Sequence, residues 1–109
     1  MSKKKTKKET KPSEKEVVVT TPEVSVDHDD KGYYIEVELP GVKKEAVSLT
    51  VGAQSFCVEA SREDVVFMGC FTLAHPVDEG KAKAKFESGL LKVEVPLKAP
   101  LKGKRIEIQ

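Results

Sequence analysis

Residues 31–41 read KGYYIEVELPG, and their alternation decides the fold. Tyr33, Ile35, Val37 and Leu39 fall on one face of a period-two pattern, with Tyr34, Glu36 and Glu38 on the other. A helix would scatter those apolar residues around its axis, whereas a strand collects them on the face that meets a core. Pro40 and Gly41 end the run, because proline cannot donate to a ladder and glycine accepts turn geometry. The stretch is a half-buried strand followed by a turn.

The same period recurs on both sides of it. Upstream, EVSVD (23–27) reads as a shorter strand, and DHDDKG (27–32) supplies a hairpin turn between the two. Downstream, AVSLTVG (46–52) aligns Val47, Leu49 and Val51 and stops at Gly52. SFCVEA (55–60) places Phe56, Val58 and Ala60 opposite Cys57 and Glu59, while VVFMGCFTL (65–73) is longer and alternates less cleanly. KAKAKFE (81–87) sets Ala82, Ala84 and Phe86 against Lys81, Lys83 and Lys85. After a turn at Ser88–Gly89, Leu91, Val93 and Val95 share a face in LLKVEVP (90–96). No segment carries a 3.6-residue apolar period. The pattern predicts an all-β protein, an immunoglobulin-like antiparallel sandwich of about seven to eight strands.

A chain of 109 residues fits one such domain, and 39% hydrophobic content supports a modest core beneath a heavily charged surface. Charge divides the chain. Residues 1–16 hold seven lysines and three glutamates and no apolar residue after Met1, which predicts a disordered basic arm. Residues 17–97 form the predicted sandwich, and 98–109 a C-terminal extension. The arm has no aromatic side chain to stack on a base, so nucleic acid is not the expected partner. No apolar run approaches the roughly 18 residues of a membrane span, and no apolar stretch follows the N-terminal lysines as in a secretory signal. Cys57 and Cys70 lack CxxC spacing and are too few for a disulfide framework. They read as small apolar strand residues in a reducing cytoplasm.

Catalytic chemistry finds no support. His28 lies among Asp27, Asp29 and Asp30, residues that favour a solvated turn and lack the glycine and distal glutamate of an EF-hand loop. His75 stands apart in sequence from any acid or nucleophile. Phosphate-binding glycine loops, GxSxG and HExxH are all missing. The expectation is a non-enzymatic protein with no cofactor and no metal.

Ile106 and Ile108 then stand out, two large apolar residues flanking Glu107 in a chain end that would ordinarily be polar. Pro100 and Gly103 in the preceding KAPLKGK (98–104) favour a flexible reach over a tight hairpin. Alternate side chains on an extended segment suit addition to an exposed sheet edge.

Three stretches together resemble the small heat shock proteins, the family built on the α-crystallin domain. VELPGVKKEAVSLTV (37–51) is similar to the family's strand, Leu-Pro-Gly turn and next strand. FTLAHPVDEGKAKAKFESGLLKVEVP (71–96) is similar in its Ala84, Gly89, Leu91, Val93 and Pro96. The Ile106-Glu107-Ile108 tail matches the isoleucine-any-isoleucine motif that follows the domain. The resemblance implies an ATP-independent chaperone of the stress response that holds partly unfolded clients and self-associates into dimers or larger assemblies. It also implies that the tail anchors Ile106 and Ile108 enter a groove lined by Val47, Leu49, Val51, Ala82, Ala84 and Phe86. Only SREDV (61–65) separates two strands where microbial and plant members carry an exchanged loop. Val65, Val66, Phe67 and Met68 are then a candidate edge for a dimer of the animal type, the alternative being an ordinary core strand between two covered faces. The co-chaperone sandwich of the CS-domain fold, which binds a specific protein partner, is the alternative.

Overall fold

The computed structural model describes residues 16–101 and 103–109. The arm expected over 1–16 thus lies, but for Glu16, outside the described residues. Among the described residues there are eight strands: β1 Val18–Thr20, β2 Glu23–His28, β3 Gly32–Glu38, β4 Val47–Gly52, β5 Ser55–Arg62, β6 Val65–Thr72, β7 Lys83–Glu87 and β8 Leu90–Pro96. Two single 3-10 turns, Lys44–Ala46 and Glu79–Lys81, lead into β4 and precede β7. The strands form two four-stranded sheets, ordered β1-β6-β5-β4 and β2-β3-β8-β7. This is the sandwich expected from the alternation, with the core between its layers.

Each alternation places its apolar set inward. Tyr33, Ile35 and Val37 of β3, Phe56, Val58 and Ala60 of β5, and Leu91, Val93 and Val95 of β8 are all buried. Ile35 pairs with Val93 and Val37 with Leu91 in an antiparallel register that keeps both sets on one face. In the other sheet Phe56 faces Phe71, the two rings stacked at 5.0 Å between centroids. Gly32 is required where β3 crosses β8, since a Cβ there would sit 2.8 Å from the Val95 carbonyl oxygen. Gly89, at φ +81°, closes the β7–β8 turn and accepts the Leu39 N–H at 2.7 Å.

The β2–β3 hairpin is held by one carboxylate. Asp29 Oδ1 accepts the N–H groups of Lys31 at 2.8 Å and Gly32 at 2.9 Å, and Oδ2 accepts the Tyr34 hydroxyl at 3.1 Å. Those backbone donors favour the charged form and hold Asp29 below the ordinary carboxylate range.

The structure corrects several expectations. β1, unmarked by any alternation, pairs with β6 in parallel, Val18 opposite Val65 and Val19 opposite Val66. Its residues are exposed, so hydrogen bonding to a neighbour rather than burial defines it. The segment read as a connecting SREDV is mostly strand: β5 runs through Arg62 and β6 begins at Val65, leaving Glu63 and Asp64 as the turn. Cys57 and Cys70 are strand residues as expected but are bonded to each other as a disulfide, not free thiols. They are directly opposed in the β5–β6 register with Cα atoms 4.0 Å apart, on the face turned away from the core. Sequence spacing carries no information about that register, which a two-residue turn sets.

Candidate functional site

The site grows from the two strands that end the sheets. β1 passes through Thr21 and buried Pro22 straight into β2, so the β1 and β2 edges lie on one side of the sandwich. β4 and β7 end the sheets on the other side, each paired along one edge only. Their free edges offer unpaired N–H and C=O groups to an added strand. Between them Val47, Leu49, Val51, Ala82 and Phe86 are half-buried and pack against the core, while Ala84 is exposed. Of the six positions that the family resemblance names, five lie on β4 and β7, and Ala82 immediately precedes β7.

The tail does not cover it from within the same chain. Residues 103–109 form no strand, and Ile106 and Ile108 are 70% and 92% exposed. Among the described residues the chain is held at the start of the extension, where the Leu97 N–H bonds to the Lys31 carbonyl at 2.8 Å, the Lys98 N–H to the Pro76 carbonyl at 3.0 Å and the Leu101 N–H to the Asp30 carbonyl at 3.3 Å. A last strand within the domain, the other place for two isoleucines, is not what the structure adopts.

At the opposite side, β6 is not a free edge along Val65–Phe67, because β1 of the same chain hydrogen-bonds there. Phe67 points into the core and is buried, and Val65 and Val66 are half-buried. Met68, beyond the end of β1, is 47% exposed. Of the four residues named as a dimer edge, Met68 alone keeps an unpaired backbone edge and an exposed side chain. The exposed valines Val17, Val18, Val19 and Val26 gather around β1 and β2. Sequence reasoning missed this patch because VVVTT (17–21) shows neither alternation nor a turn signal, although three consecutive valines in a charged chain could have marked it.

Among the described residues, no group of three or more histidine, cysteine or acidic side chains gathers as a metal cluster, and no helix is long and apolar enough to cross a membrane. The fold does bring the ring of His75 within 5.2 Å of that of His28, a neighbour remote from it in sequence.

Comparison with known proteins gives the family. A family model described as Hsp20/alpha crystallin family matches residues 25–109. Small heat shock protein C4 of Rickettsia felis is 26% identical over 106 residues, covering 83% of this chain and 65% of that protein. The chain thus spans somewhat less than two thirds of that relative. A probable 15 kDa heat shock protein of Leptospira interrogans is 25% identical over 118 residues, covering 95% of this chain and 88% of its own. Among solved structures, heat shock protein 16.0 from Schizosaccharomyces pombe superposes with a TM-score of 0.67 at 24% identity, over 82% of this chain and 98% of that one. A small heat-shock protein from Xylella fastidiosa, described as having a distinct high order structure, gives 0.63 at 16% identity over 82% and 96%. The sandwich and the matched sequence agree: this chain belongs to the Hsp20/alpha crystallin family, the small heat shock proteins.

Proposed function

We propose that this chain is an ATP-independent holdase that binds partly unfolded proteins through exposed apolar surface and self-associates through its tail. The observation that supports this most is the pairing of an open β4–β7 side with an exposed Ile106-Glu107-Ile108 segment. Ile106 and Ile108 of one copy fill the groove at Val47, Leu49, Val51, Ala82, Ala84 and Phe86 of another, with Glu107 turned to solvent. Full burial of two isoleucines gives about 3–6 kcal/mol, from which ordering the tail and immobilising a partner must be subtracted. A single contact is therefore weak. Several contacts closing a ring reinforce one another through effective concentration, which yields an assembly that holds yet opens.

When the latch opens, the same groove and the exposed valines around β1 become available to apolar client segments. In this reading residues 98–109 are a separate extension, Met68 marks the accessible part of the β6 edge, and no nucleotide or other cofactor takes part. A cytoplasmic setting belongs to the proposal too; a strongly reducing compartment would keep the Cys57–Cys70 pair as thiols. Light scattering from a heat-labile client, without nucleotide, tests the activity. Suppression of aggregation at a few-fold molar excess is the expected result, and undiminished scattering at that ratio would overturn it.

A further inference from the structure

The chain has two histidines, and the fold brings them together. His28 closes β2, and His75 lies in the connection between β6 and β7. Their rings stand 5.2 Å apart between centroids at an interplanar angle of 77°. Both rest on one rigid support. Tyr33 is buried in the core, its ring is 5.0 Å from that of His28, and its hydroxyl accepts the His75 N–H at 3.0 Å.

His28 Nδ1 lies 3.1 Å from the Asp29 carbonyl oxygen. A carbonyl only accepts, so Nδ1 carries the proton and, in the neutral ring, Nε2 keeps its lone pair open. A histidine whose outer nitrogen is fixed in this way by a carbonyl is oriented as a metal ligand. The separation suits a shared ion: two imidazoles bonded to one tetrahedral metal at about 2.0–2.1 Å place their centroids about 5 Å apart. The surroundings favour a cation. Asp27, Asp29 and Asp30 flank His28 in sequence, and both histidines are at least partly open to solvent. The Asp29 carboxylate is committed to Lys31, Gly32 and Tyr34, so the remaining coordination positions belong to water.

We propose that His28 and His75 form a two-histidine binding site for a nitrogen-preferring divalent transition metal such as Zn2+. Imidazole selects the later first-row ions, whereas Mg2+ and Ca2+ prefer oxygen ligands. A bound ion ties the β2–β3 hairpin to the β6–β7 connection. That is the end of the sandwich from which the tail departs, through Leu97 on Lys31 and Leu101 on Asp30. Binding to the folded chain alone raises its melting temperature by mass action.

The test is calorimetric titration of the chelator-treated, disulfide-intact chain with ZnCl2, paired with thermal melts. One Zn2+ per chain, a raised melting temperature and no response to MgCl2 are expected. His28→Ala and His75→Gln should each weaken binding roughly tenfold or more, since even outer-shell changes at metal sites cost 10–100-fold. His28 is exposed, so its variant keeps the fold and isolates the ligand role. The proposal is overturned by three outcomes: equal binding in the His28→Ala chain, an equal response to MgCl2, or binding that arises only after reduction and so belongs to Cys57 and Cys70.

Discussion

Phe56→Ala is expected to cost about 3–5 kcal/mol of stability, the range for deleting a fully buried phenylalanine. Phe56, the second residue of β5, is 0% exposed, and alternation locks it inward between the half-buried Ser55 and Cys57. Deleting its ring leaves a cavity beneath a strand that is itself paired on both sides, by β4 and β6, and so cannot collapse without breaking register. A domain of this size holds only about 5–15 kcal/mol in all. At about 4–8 °C per kcal/mol, the melting temperature should fall by roughly 15 °C or more. Phe71 is the internal control, because it stacks on Phe56 from the opposing position yet is only half-buried. Its replacement by alanine should cost distinctly less. Urea titrations of both variants decide the matter: equal shifts in midpoint would mean that the core is not centred on Phe56.

Loss of the Cys57–Cys70 bond should cost about 2–4 kcal/mol, the usual range for a disulfide. The bond spans 13 residues of sequence, and its loss frees the unfolded chain rather than opening the core, since both sulfurs lie on the outer face. The expected signature is a melting temperature lowered by roughly 10 °C with the β spectrum unchanged. A Cys57→Ala/Cys70→Ala chain should melt at the lower temperature whether or not a dithiol is added, whereas the unaltered chain should respond to it. A dithiol without effect on the unaltered chain would show that the pair is not bonded.

The strands that bury one face were legible in the sequence. In β3, β5 and β8 the core residues sit at every second position, and the physics that buries them writes the period. Pro40-Gly41 and Ser88-Gly89 marked turns for the same reason, since few residues accept those backbone angles. What escaped reading depends on register or on distance along the chain. β1 has no buried face and exists because β6 offers it an edge. Cys57 meets Cys70 only once Glu63 and Asp64 set the hairpin. His75 meets His28 because Tyr33 carries both, from a strand remote from His75 in sequence. For the groove, the family resemblance alone named its residues, and the exposure of Ala84 and the cover that β1 gives β6 depend on packing that no sequence pattern carries.

The central claim is that Ile106 and Ile108 join one copy of the chain to another. Native mass in solution, measured for the unaltered chain and for Ile106→Ala/Ile108→Ala, tests it directly. The unaltered chain should run as an assembly larger than one copy, and the double variant should fall towards its smallest unit with the same melting temperature for the domain. An unchanged mass with a lowered melting temperature would place the isoleucines on their own domain and contradict the claim.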